Sequence, residues 1–524
     1  MDQKTSLEDI VAQLQNLLST SNLRKTHAQA GDTIGSQPIL PVGTPNLAEL
    51  QSHVDLSSTI LSDNATDLSA LAEHLSSKVL PYLNLGSLSP NYYGFVIGGA
   101  TPAALLGDFL ASIYDQNVHV HLPAETVATT LEIATLNLLV QLYRLPAPEW
   151  TIGGSGPGGG TFTTGATASN VLGLALGREY VLREAVQRAG LGSEWSCGAS
   201  GVAESMIQAG VQTIQVLSTL PHSSLAKAAS IVGIGRKNFI SIATDNHPLQ
   251  IDMARLDIEA RRPGVLNILA ISAGEVNTGR FATASLSTMK QLREICDKYK
   301  IWIHVDGAFG LFGRILPTSD QEFSEIVRGV EGLELADSIT GDCHKLLNVP
   351  YDSGVFFTRH KTLSENVFGN GNAAYLTSAL GDGDAIQSPL NIGIENSRRF
   401  RALPAYCTLI AYGREGYVDM LKRQIGLARR VTMWLLDNDK FEVLPVGGTD
   451  QEILAKTYMV VLFRVKDPVR NTGFVKRVNA TGNIYLSGTV WDGKPAARIA
   501  VSNWQVDVQR DGDLIEDVLE EAAG

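Results

Sequence analysis

Cysteine is scarce in this sequence, and no two cysteines are close together. The 524 residues include four, at Cys197, Cys296, Cys343 and Cys407. Because zinc sites and disulfide frameworks are built from cysteines at characteristic short spacings, neither is indicated here. We therefore expect the protein to work in a reducing compartment, the cytoplasm.

Long apolar runs and clusters of basic residues are also missing. No apolar run reaches the roughly 20 residues that a membrane helix needs, and the N-terminus lacks the basic, apolar and small-residue succession of a signal peptide. The formal net charge is −12, whereas nucleic acids and anionic membranes attract basic surfaces. We therefore expect neither a nucleic acid nor a membrane as a partner.

The pattern of apolar residues divides the chain into three regions. Residues 1–120 contain helical segments, beginning with an amphipathic helix at 1–20, and a polar stretch at 21–45 indicates a linker. Residues 121–395 alternate β-branched runs with helix-length spacers, which is typical of βαβ units and a mostly parallel sheet. Residues 396–524 begin helical and then give strands, which predicts a small α+β C-terminal domain.

A glycine-rich segment precedes one of the predicted helices. It contains a formal GxGxxG at Gly154, Gly156 and Gly159, but no GK[ST] follows, which excludes a Walker loop. The next stretch, "TTGATASN" at 163–170, is more informative because small and hydroxyl residues run directly into the helix. Backbone N–H groups at a helix start bind anions, and the hydroxyl of Thr167 can add a donor. The segment indicates either an anion cradle or an ordinary helix cap.

Two polar residues stand where predicted strands end. Asp306 closes the apolar strand in "IWIHVDGAFG", and His222 follows the strand "TIQVLS" at the start of a helix. Ligands of parallel sheets bind at the carboxyl ends of the strands. Asp306 could therefore cap a helix, bind a metal or hold a protonated ring nitrogen, and His222 could be a cap or a site residue. His304, two residues before Asp306, is expected to pack.

His344 and Lys345 stand side by side between an acidic turn and a run of strand-forming residues, "GDCHKLLNVPYDSGVFF". A lysine entering a core is costly unless it is paired, neutralised or covalently occupied. Pyridoxal phosphate needs a phosphate cradle, a flat group against its ring, an acid beside its pyridine nitrogen and a lysine for a Schiff base. The anion cradle, His222, Asp306 and Lys345 supply that set, so the sequence predicts this cofactor.

From about Pro90 to Asn503 the sequence resembles the pyridoxal-phosphate-dependent group II amino acid decarboxylases, of the aspartate aminotransferase-like fold type I. The motifs that carry the resemblance are "TTGATASN", "LPHSSLAKA", "HVDGAFG", "CHKLLNVPYDSG" and "ARIAVSN". The resemblance implies an α/β fold with a mostly parallel seven-stranded sheet flanked by helices. It also implies a homodimer with the active site at the subunit interface, formed partly by the N-terminal helical segment.

The same resemblance implies a role for each matching residue. Lys345 is the Schiff-base lysine, next to His344 in the cofactor site, and Asp306 is the partner of the pyridinium nitrogen. His222 stacks on one face of the cofactor ring and Ala308 packs on the other. The phosphate ligands are Gly165, Ala166 and Thr167, and the substrate carboxylate is held by Arg498.

The sequence also departs from the family pattern. Cys343 replaces a proline, Asp342 stands where an asparagine is common, and Ala168 replaces a glutamate of the phosphate loop. Glu275 and Val276 replace a pair of threonines near the phenolic oxygen of the cofactor.

A further departure concerns the loop at 366–394, whose glycines and aspartates predict a mobile segment that closes over the substrate. This loop lacks the family tyrosine thought to return a proton to the carbanion, and Tyr375 is the nearest candidate.

The leading function is decarboxylation of an aromatic or related L-amino acid. The alternatives are a decarboxylating aldehyde synthase or carbon–carbon lyase of the same fold, and an inactive scaffold. Tyr92, Tyr93 and Phe95 either line an aromatic pocket or belong to the core.

Overall fold

The structure, a computed structural model, contains two large sheets covered by helices. It describes residues 6–20, 33–34, 37–38, 50–51, 60–190, 195–369 and 386–524. Within those ranges no helix is long and apolar enough to cross a bilayer.

The strands are numbered in chain order. They are β1 (Thr33–Ile34), β2 (Gln37–Pro38), β3 (Tyr92–Tyr93), β4 (Gly159–Thr163), β5 (Thr213–Ser218), β6 (Phe239–Ser241), β7 (Val265–Ser272), β8 (Trp302–Asp306), β9 (Ser338–Asp342), β10 (Gly354–Thr358), β11 (Phe441–Leu444), β12 (Val460–Val465), β13 (Tyr485–Trp491) and β14 (Lys494–Ala500).

The α-helices are numbered in the same way. They are α1 (Leu7–Thr20), α2 (Leu68–Lys78), α3 (Pro102–Tyr114), α4 (Ala128–Leu142), α5 (Ala147–Trp150), α6 (Ala166–Arg188), α7 (Cys197–Ser200), α8 (Val202–Gln208), α9 (Ser223–Ile231), α10 (Met253–Ala260), α11 (Leu286–Tyr299), α12 (Ser324–Val330), α13 (Cys343–Leu346), α14 (Lys361–Phe368), α15 (Ala402–Asp437), α16 (Asp450–Lys456), α17 (Pro468–Asn471), α18 (Phe474–Ala480) and α19 (Val508–Ala523).

The larger sheet has seven strands in the order β4-β10-β9-β8-β7-β5-β6, and only β10 runs opposite to the others. This mostly parallel sheet confirms the predicted α/β fold. Both of its faces are buried: in β8, Ile303 and Val305 join one apolar core, and Trp302 joins the core that includes α6. Because alternate residues of a strand share a face, Asp306 lies on the α6 side with Trp302.

The smaller sheet has five strands in the order β11-β12-β14-β13-β3. Four come from the C-terminal region, as predicted, but β3 comes from the N-terminal region and pairs in parallel with β13. The rings of Tyr92 and Tyr485 stack across this pair with their centroids 4.8 Å apart. The N-terminal region therefore completes the C-terminal sheet, which spacing along the chain does not indicate.

Apolar spacing predicts a longer helical region over 101–143, and the structure shows that this region is helical but interrupted. The structure has two helices there, α3 and α4. The Thr101 side chain caps the start of α3 by accepting a hydrogen bond from the Ala104 N–H, and Asp115 ends the helix in the left-handed conformation (φ +43°). The intervening segment is held by His121, whose Nδ1 lies 2.6 Å from Thr129 Oγ1.

A buried acid, Asp337, ties the start of β9 to neighbouring elements. Its Oδ2 accepts hydrogen bonds from the Ile303 N–H (2.7 Å) and from Arg293 Nη1 (2.8 Å), while its Oδ1 lies 3.0 Å from His360 Nε2. Burial by itself would raise the pKa of this carboxyl, but the hydrogen bond from His360 and the charge of Arg293 outweigh it and lower the pKa.

We predict that Asp337→Asn lowers the free energy of unfolding by about 3–5 kcal/mol, because it removes the buried one of the two carboxylates that pair with Arg293. Since the folded-state pKa of Asp337 is depressed, its stabilisation is present above the ordinary value of 3.8 and is lost as the pH falls below it. Urea unfolding at several pH values measures both effects.

The matched control is Asp297→Asn. Asp297 also pairs with Arg293, at 2.8 Å, but its side chain is 66% exposed, so its loss should cost at most about 1 kcal/mol. Equal effects of the two substitutions would contradict the prediction.

Candidate active site

The site lies at one edge of the seven-stranded sheet. The carboxyl ends of β4, β5, β7, β8 and β9 meet there, and the reversed strand β10 begins there, with Gly354 opposite both Asp342 and Thr163. A cavity of about 400 Å³ opens at this edge. A larger cavity, about 540 Å³, lies elsewhere and contains none of the predicted site residues.

The turn between β4 and α6 places a helix N-terminus against the cavity. A Cβ at Gly354 would lie 2.5 Å from the Cα of Gly165, so only glycine allows the two backbones to approach this closely. The Thr163 and Ser169 hydroxyls, 2.8 Å apart, brace the turn. Because α6 has 23 residues and starts at the cavity, its first N–H groups and its positive end can hold an anion.

Asp306 is held by hydrogen-bond donors that face both of its oxygens. Oδ2 accepts from Asn170 Nδ2 (3.0 Å), and Oδ1 accepts from the Ala308 N–H (3.3 Å). The two donors fix the direction in which the carboxylate meets the cavity.

His304 orients the Asn170 side chain that donates to Asp306, so its role goes beyond the packing predicted for it. Its Nε2 lies 2.9 Å from Asn170 Oδ1, and its Nδ1 lies 2.8 Å from Ser338 Oγ. Burial lowers the pKa of His304 to about 3, so the ring is neutral. Since Asn170 Oδ1 can only accept, Nε2 carries the proton, and the amide N–H₂ of Asn170 is turned toward Asp306.

We predict that Gly173→Ala disturbs this chain of hydrogen bonds. A Cβ at Gly173 would lie 2.3 Å from the ring of His304, and overpacking of this kind costs about 1–3 kcal/mol of stability. Displacement of His304 would free Asn170 to rotate, so any activity that depends on Asp306 should fall as well. Thermal unfolding and an activity assay measure the two effects.

Gly426→Ala serves as the control, because a Cβ at Gly426 in α15 would meet only Val508 Cγ2, at 3.4 Å. Alanine in that helix interior should add about 0.5–1 kcal/mol of stability. A Gly173→Ala protein as stable and as active as the wild type would refute the role of His304.

His222 is both a helix cap and a residue of the cavity wall. Its Nδ1 accepts a hydrogen bond from the Ser224 N–H (3.1 Å) at the start of α9 and lies 2.7 Å from Ser224 Oγ. These contacts fix the ring orientation, and His222 also lines the cavity. The two roles considered for this histidine are therefore compatible.

Lys345 extends from the one-turn helix α13. Its Nζ lies 2.9 Å from Asp342 Oδ2 and 5.7 Å from the centroid of the Phe309 ring. The neighbouring His344 ring lies 4.4 Å from the Tyr351 ring, and burial lowers the pKa of His344. The Lys345 ammonium group thus has an acidic partner and an aromatic wall.

Arg498 reaches the cavity from β14 in the smaller sheet. Its Nε and Nη1 donate to the carbonyl oxygens of Val276 (2.7 Å) and Gly94 (3.0 Å). Burial lowers the pKa of Arg498 to about 10, so it stays charged at neutral pH. Among the described residues nothing accepts a hydrogen bond from Nη2, which is therefore available for a ligand.

The structure gathers the sequence-predicted residues into one wall. Nine of them line the same cavity: Gly165, Ala166, Thr167, His222, Asp306, Ala308, His344, Lys345 and Arg498. Tyr375, the predicted proton donor, lies outside the described residues. Of the three aromatics, Phe95 lines the cavity, Tyr93 belongs to the core of the smaller sheet and Tyr92 stacks on Tyr485.

Sequence reasoning missed two aromatic residues of the wall, Phe309 and Tyr351. Both stand inside quoted motifs, three residues after Asp306 and six residues after Lys345, so their position was a usable signal. The sequence also did not indicate that the Glu275 carboxylate accepts hydrogen bonds from backbone N–H groups of its own loop. Its Oε1 accepts from the Asn277 N–H (3.0 Å), and its Oε2 accepts from the Thr278 N–H (2.9 Å).

Comparison with known proteins relates both the sequence and the fold to one group. Residues 51–465 match the family model described as the pyridoxal-dependent decarboxylase conserved domain. The chain is 24% identical over 488 residues to tryptophan decarboxylase 1 of Oryza sativa subsp. japonica, covering 90% of this chain and 86% of that protein. It is 27% identical over 334 residues to L-2,4-diaminobutyrate decarboxylase of Acinetobacter baumannii, covering 62% of this chain and 59% of that protein.

Two further likenesses bear on product and fold. The chain is 24% identical over 452 residues to phenylacetaldehyde synthase of a Rosa hybrid cultivar, covering 83% of this chain and 80% of that protein. The crystal structure of Oryza sativa TDC with PLP and tryptamine matches it with a TM-score of 0.81 at 20% identity, covering 100% of this chain and 99% of that chain. The structural likeness shows that the two chains share a fold.

Proposed function

The chain belongs to the pyridoxal-dependent decarboxylase family, whose cofactor is pyridoxal 5′-phosphate, and we propose that it decarboxylates an aromatic or related L-amino acid. One observation carries the proposal: the start of α6, His222, Asp306 and Lys345 all line a single cavity of about 400 Å³. That cavity therefore holds every kind of group that the cofactor requires.

The residues present fit the cofactor. The N-terminus of α6, at Gly165, Ala166 and Thr167, would face the phosphate with its positive end, although the Ala166 N–H here donates to Asp342 Oδ1. Bound there, the cofactor supplies a protonated aromatic ring that accepts the electron pair left when the bond between the substrate Cα and its carboxylate breaks.

The chain's own residues then set the chemistry. Asp306, held in place by its two hydrogen-bond donors, would hold a proton on the pyridine nitrogen. His222 and Ala308 would hold the cofactor ring, His344 would lie in the same site, and Lys345 would provide the amine for covalent attachment. Arg498, whose Nη2 has no hydrogen-bond acceptor among the described residues, would receive the substrate carboxylate.

The apolar wall of the cavity supports an aromatic substrate. Phe95, Leu220, Phe309 and Tyr351 line it together with the polar groups, and aromatic rings pack well against such surfaces. The similarity to tryptophan decarboxylase 1 along 90% of this chain supports the same substrate class.

A panel of L-amino acids tests the function. The purified protein with pyridoxal 5′-phosphate should release CO₂ from aromatic substrates with an equal amount of amine. CO₂, amine, aldehyde and peroxide are all followed. Absence of CO₂ from every amino acid would overturn the proposal and leave the inactive scaffold, and a carbon–carbon lyase would give cleavage products without CO₂.

Aldehyde formation is the alternative with a specific observation in its favour, the similarity to phenylacetaldehyde synthase. We propose that Tyr375 returns a proton to the substrate carbon, and we predict that Tyr375→Phe raises the aldehyde-to-amine ratio several-fold. Chromatography of both products measures the ratio. The same ratio in the variant and the wild type would show that Tyr375 is not the donor.

We also propose that the protein is a homodimer formed partly through residues 1–120. Helices α1 and α3 carry exposed apolar side chains, and such patches are typical of protein–protein interfaces. These side chains are Leu7, Ile10, Val11, Leu14, Leu18, Leu105, Leu106, Phe109 and Ile113. Sedimentation velocity should give a dimer. A fully active monomer at nanomolar concentration would contradict this proposal.

The remaining assignments follow the same division of the chain. We propose residues 121–395 as the cofactor-binding domain and residues 396–524, completed by β3, as the C-terminal domain. The four cysteines are free thiols, which supports a reducing compartment such as the cytoplasm.

A further inference from the structure

Asp342 ends β9 in an unusual position. It is buried, with 3% of its surface exposed, and its carboxylate makes two close contacts. Oδ1 accepts a hydrogen bond of 2.6 Å from the Ala166 N–H, and Oδ2 lies 2.9 Å from Lys345 Nζ. Among the described residues, Lys345 is the only lysine or arginine within 4 Å of this carboxylate.

Both contacts are with groups that the cofactor also needs. Ala166 is the first residue of α6, so its N–H points toward the place where the N-terminus would hold a phosphate. Lys345 supplies the amine for attachment. The carboxylate of Asp342 therefore stands where an anionic phosphate oxygen would compete for the same N–H.

Apart from Lys345, the neighbouring groups do little to offset the negative charge of Asp342. His344 Nε2 lies 3.7 Å from Asp342 Oδ1, but burial lowers the pKa of His344, so its ring is neutral at neutral pH. Gly165, Ala166 and Ala168 contribute no charged group to this part of the site. Two anions brought together in such a buried place repel each other strongly.

We propose that Asp342 is a built-in competitor for the phosphate group of the cofactor and that it sets the affinity of the enzyme for phosphorylated ligands at this site. A phosphate must displace the carboxylate from the Ala166 N–H or bind against its charge. An amide of the same shape would remove that opposition. Asp342 is thus an affinity-determining residue of the cofactor site, and this inference rests on the cofactor assignment.

The test compares pyridoxine 5′-phosphate with pyridoxine on protein freed of cofactor. Neither ligand has the aldehyde that Lys345 needs, so binding reports the phosphate contact and not covalent attachment. In Asp342→Asn, the Kd of pyridoxine 5′-phosphate should fall about tenfold or more, while that of pyridoxine should hardly change. Asp342→Ser, which also removes the charge, should act in the same direction.

Asp352→Asn is the matched control. It removes a carboxylate ten positions further along the chain, one that pairs with Arg401 at 2.9 Å, and it should leave both Kd values unchanged. Circular dichroism checks that each variant is folded.

An unchanged or weaker affinity of both Asp342 variants for pyridoxine 5′-phosphate would overturn the proposal. The outcome is independent of the proposed function, because a wild-type protein without decarboxylase activity can still pass or fail this binding test.

Discussion

Lys345→Ala should reduce CO₂ release by about 10³-fold or more, because no other group at the site can provide the amine nucleophile. In the structure Lys345 is the only lysine that lines the cavity within the described residues, and its Nζ is held by Asp342 and the Phe309 ring. The wild-type protein should be yellow with its cofactor, and the variant should lose the absorption of the attached form.

Borohydride reduction separates loss of attachment from loss of folding. In the wild type it should fix the cofactor to the peptide that contains Lys345, and in the variant it should fix none. Lys361→Ala is the control, since Lys361 Nζ donates to the Gly154 carbonyl oxygen (3.1 Å) away from the cavity and its loss should leave the labelling intact. Cofactor fixed to another lysine of the wild type would refute the assignment.

Asp306→Asn should lower CO₂ release by about 10²–10⁴-fold, the range typical of a lost proton-holding group. The Asp306 carboxylate accepts hydrogen bonds from Asn170 Nδ2 and the Ala308 N–H, and Asp306 also lines the cavity. An amide has one oxygen in place of two and carries no charge, so it cannot stabilise a proton on the pyridine nitrogen. Attachment of the cofactor through Lys345 should persist.

The measurement pairs steady-state activity with the borohydride assay on the same preparation. Asp320→Asn controls for the loss of a carboxylate, because Asp320 pairs with Lys422 at 2.7 Å and does not line the cavity. Full activity in Asp306→Asn would exclude the proposed role. Loss of attachment together with activity would instead make Asp306 a residue that only retains the cofactor.

Local patterns in the sequence were enough to identify the chemistry of this protein. The apolar run before Asp306, the small residues from Thr163 to Ala168 and the lysine at the edge of a core each reflect a constraint on adjacent residues. Strand ends and helix starts follow from short-range rules, and a parallel sheet brings its carboxyl ends to one edge. The α/β fold and the cofactor could therefore be predicted from local patterns, and the resemblance to the family added the rest of the nine predicted residues that line the cavity.

Contacts between distant parts of the chain could be decided only by the tertiary structure. The pairing of β3 with β13 joins residues about 390 positions apart, and no periodicity encodes such a partner. The path from His304 through Asn170 to Asp306 depends on how closely α6 approaches β8, which the absence of a side chain at Gly173 allows. The contact between Asp342 and the Ala166 N–H likewise exists only because β9 and α6 end at the same edge. Sequence alone places an acid shortly before His-Lys, and packing decides that this acid lies at the N-terminus of α6.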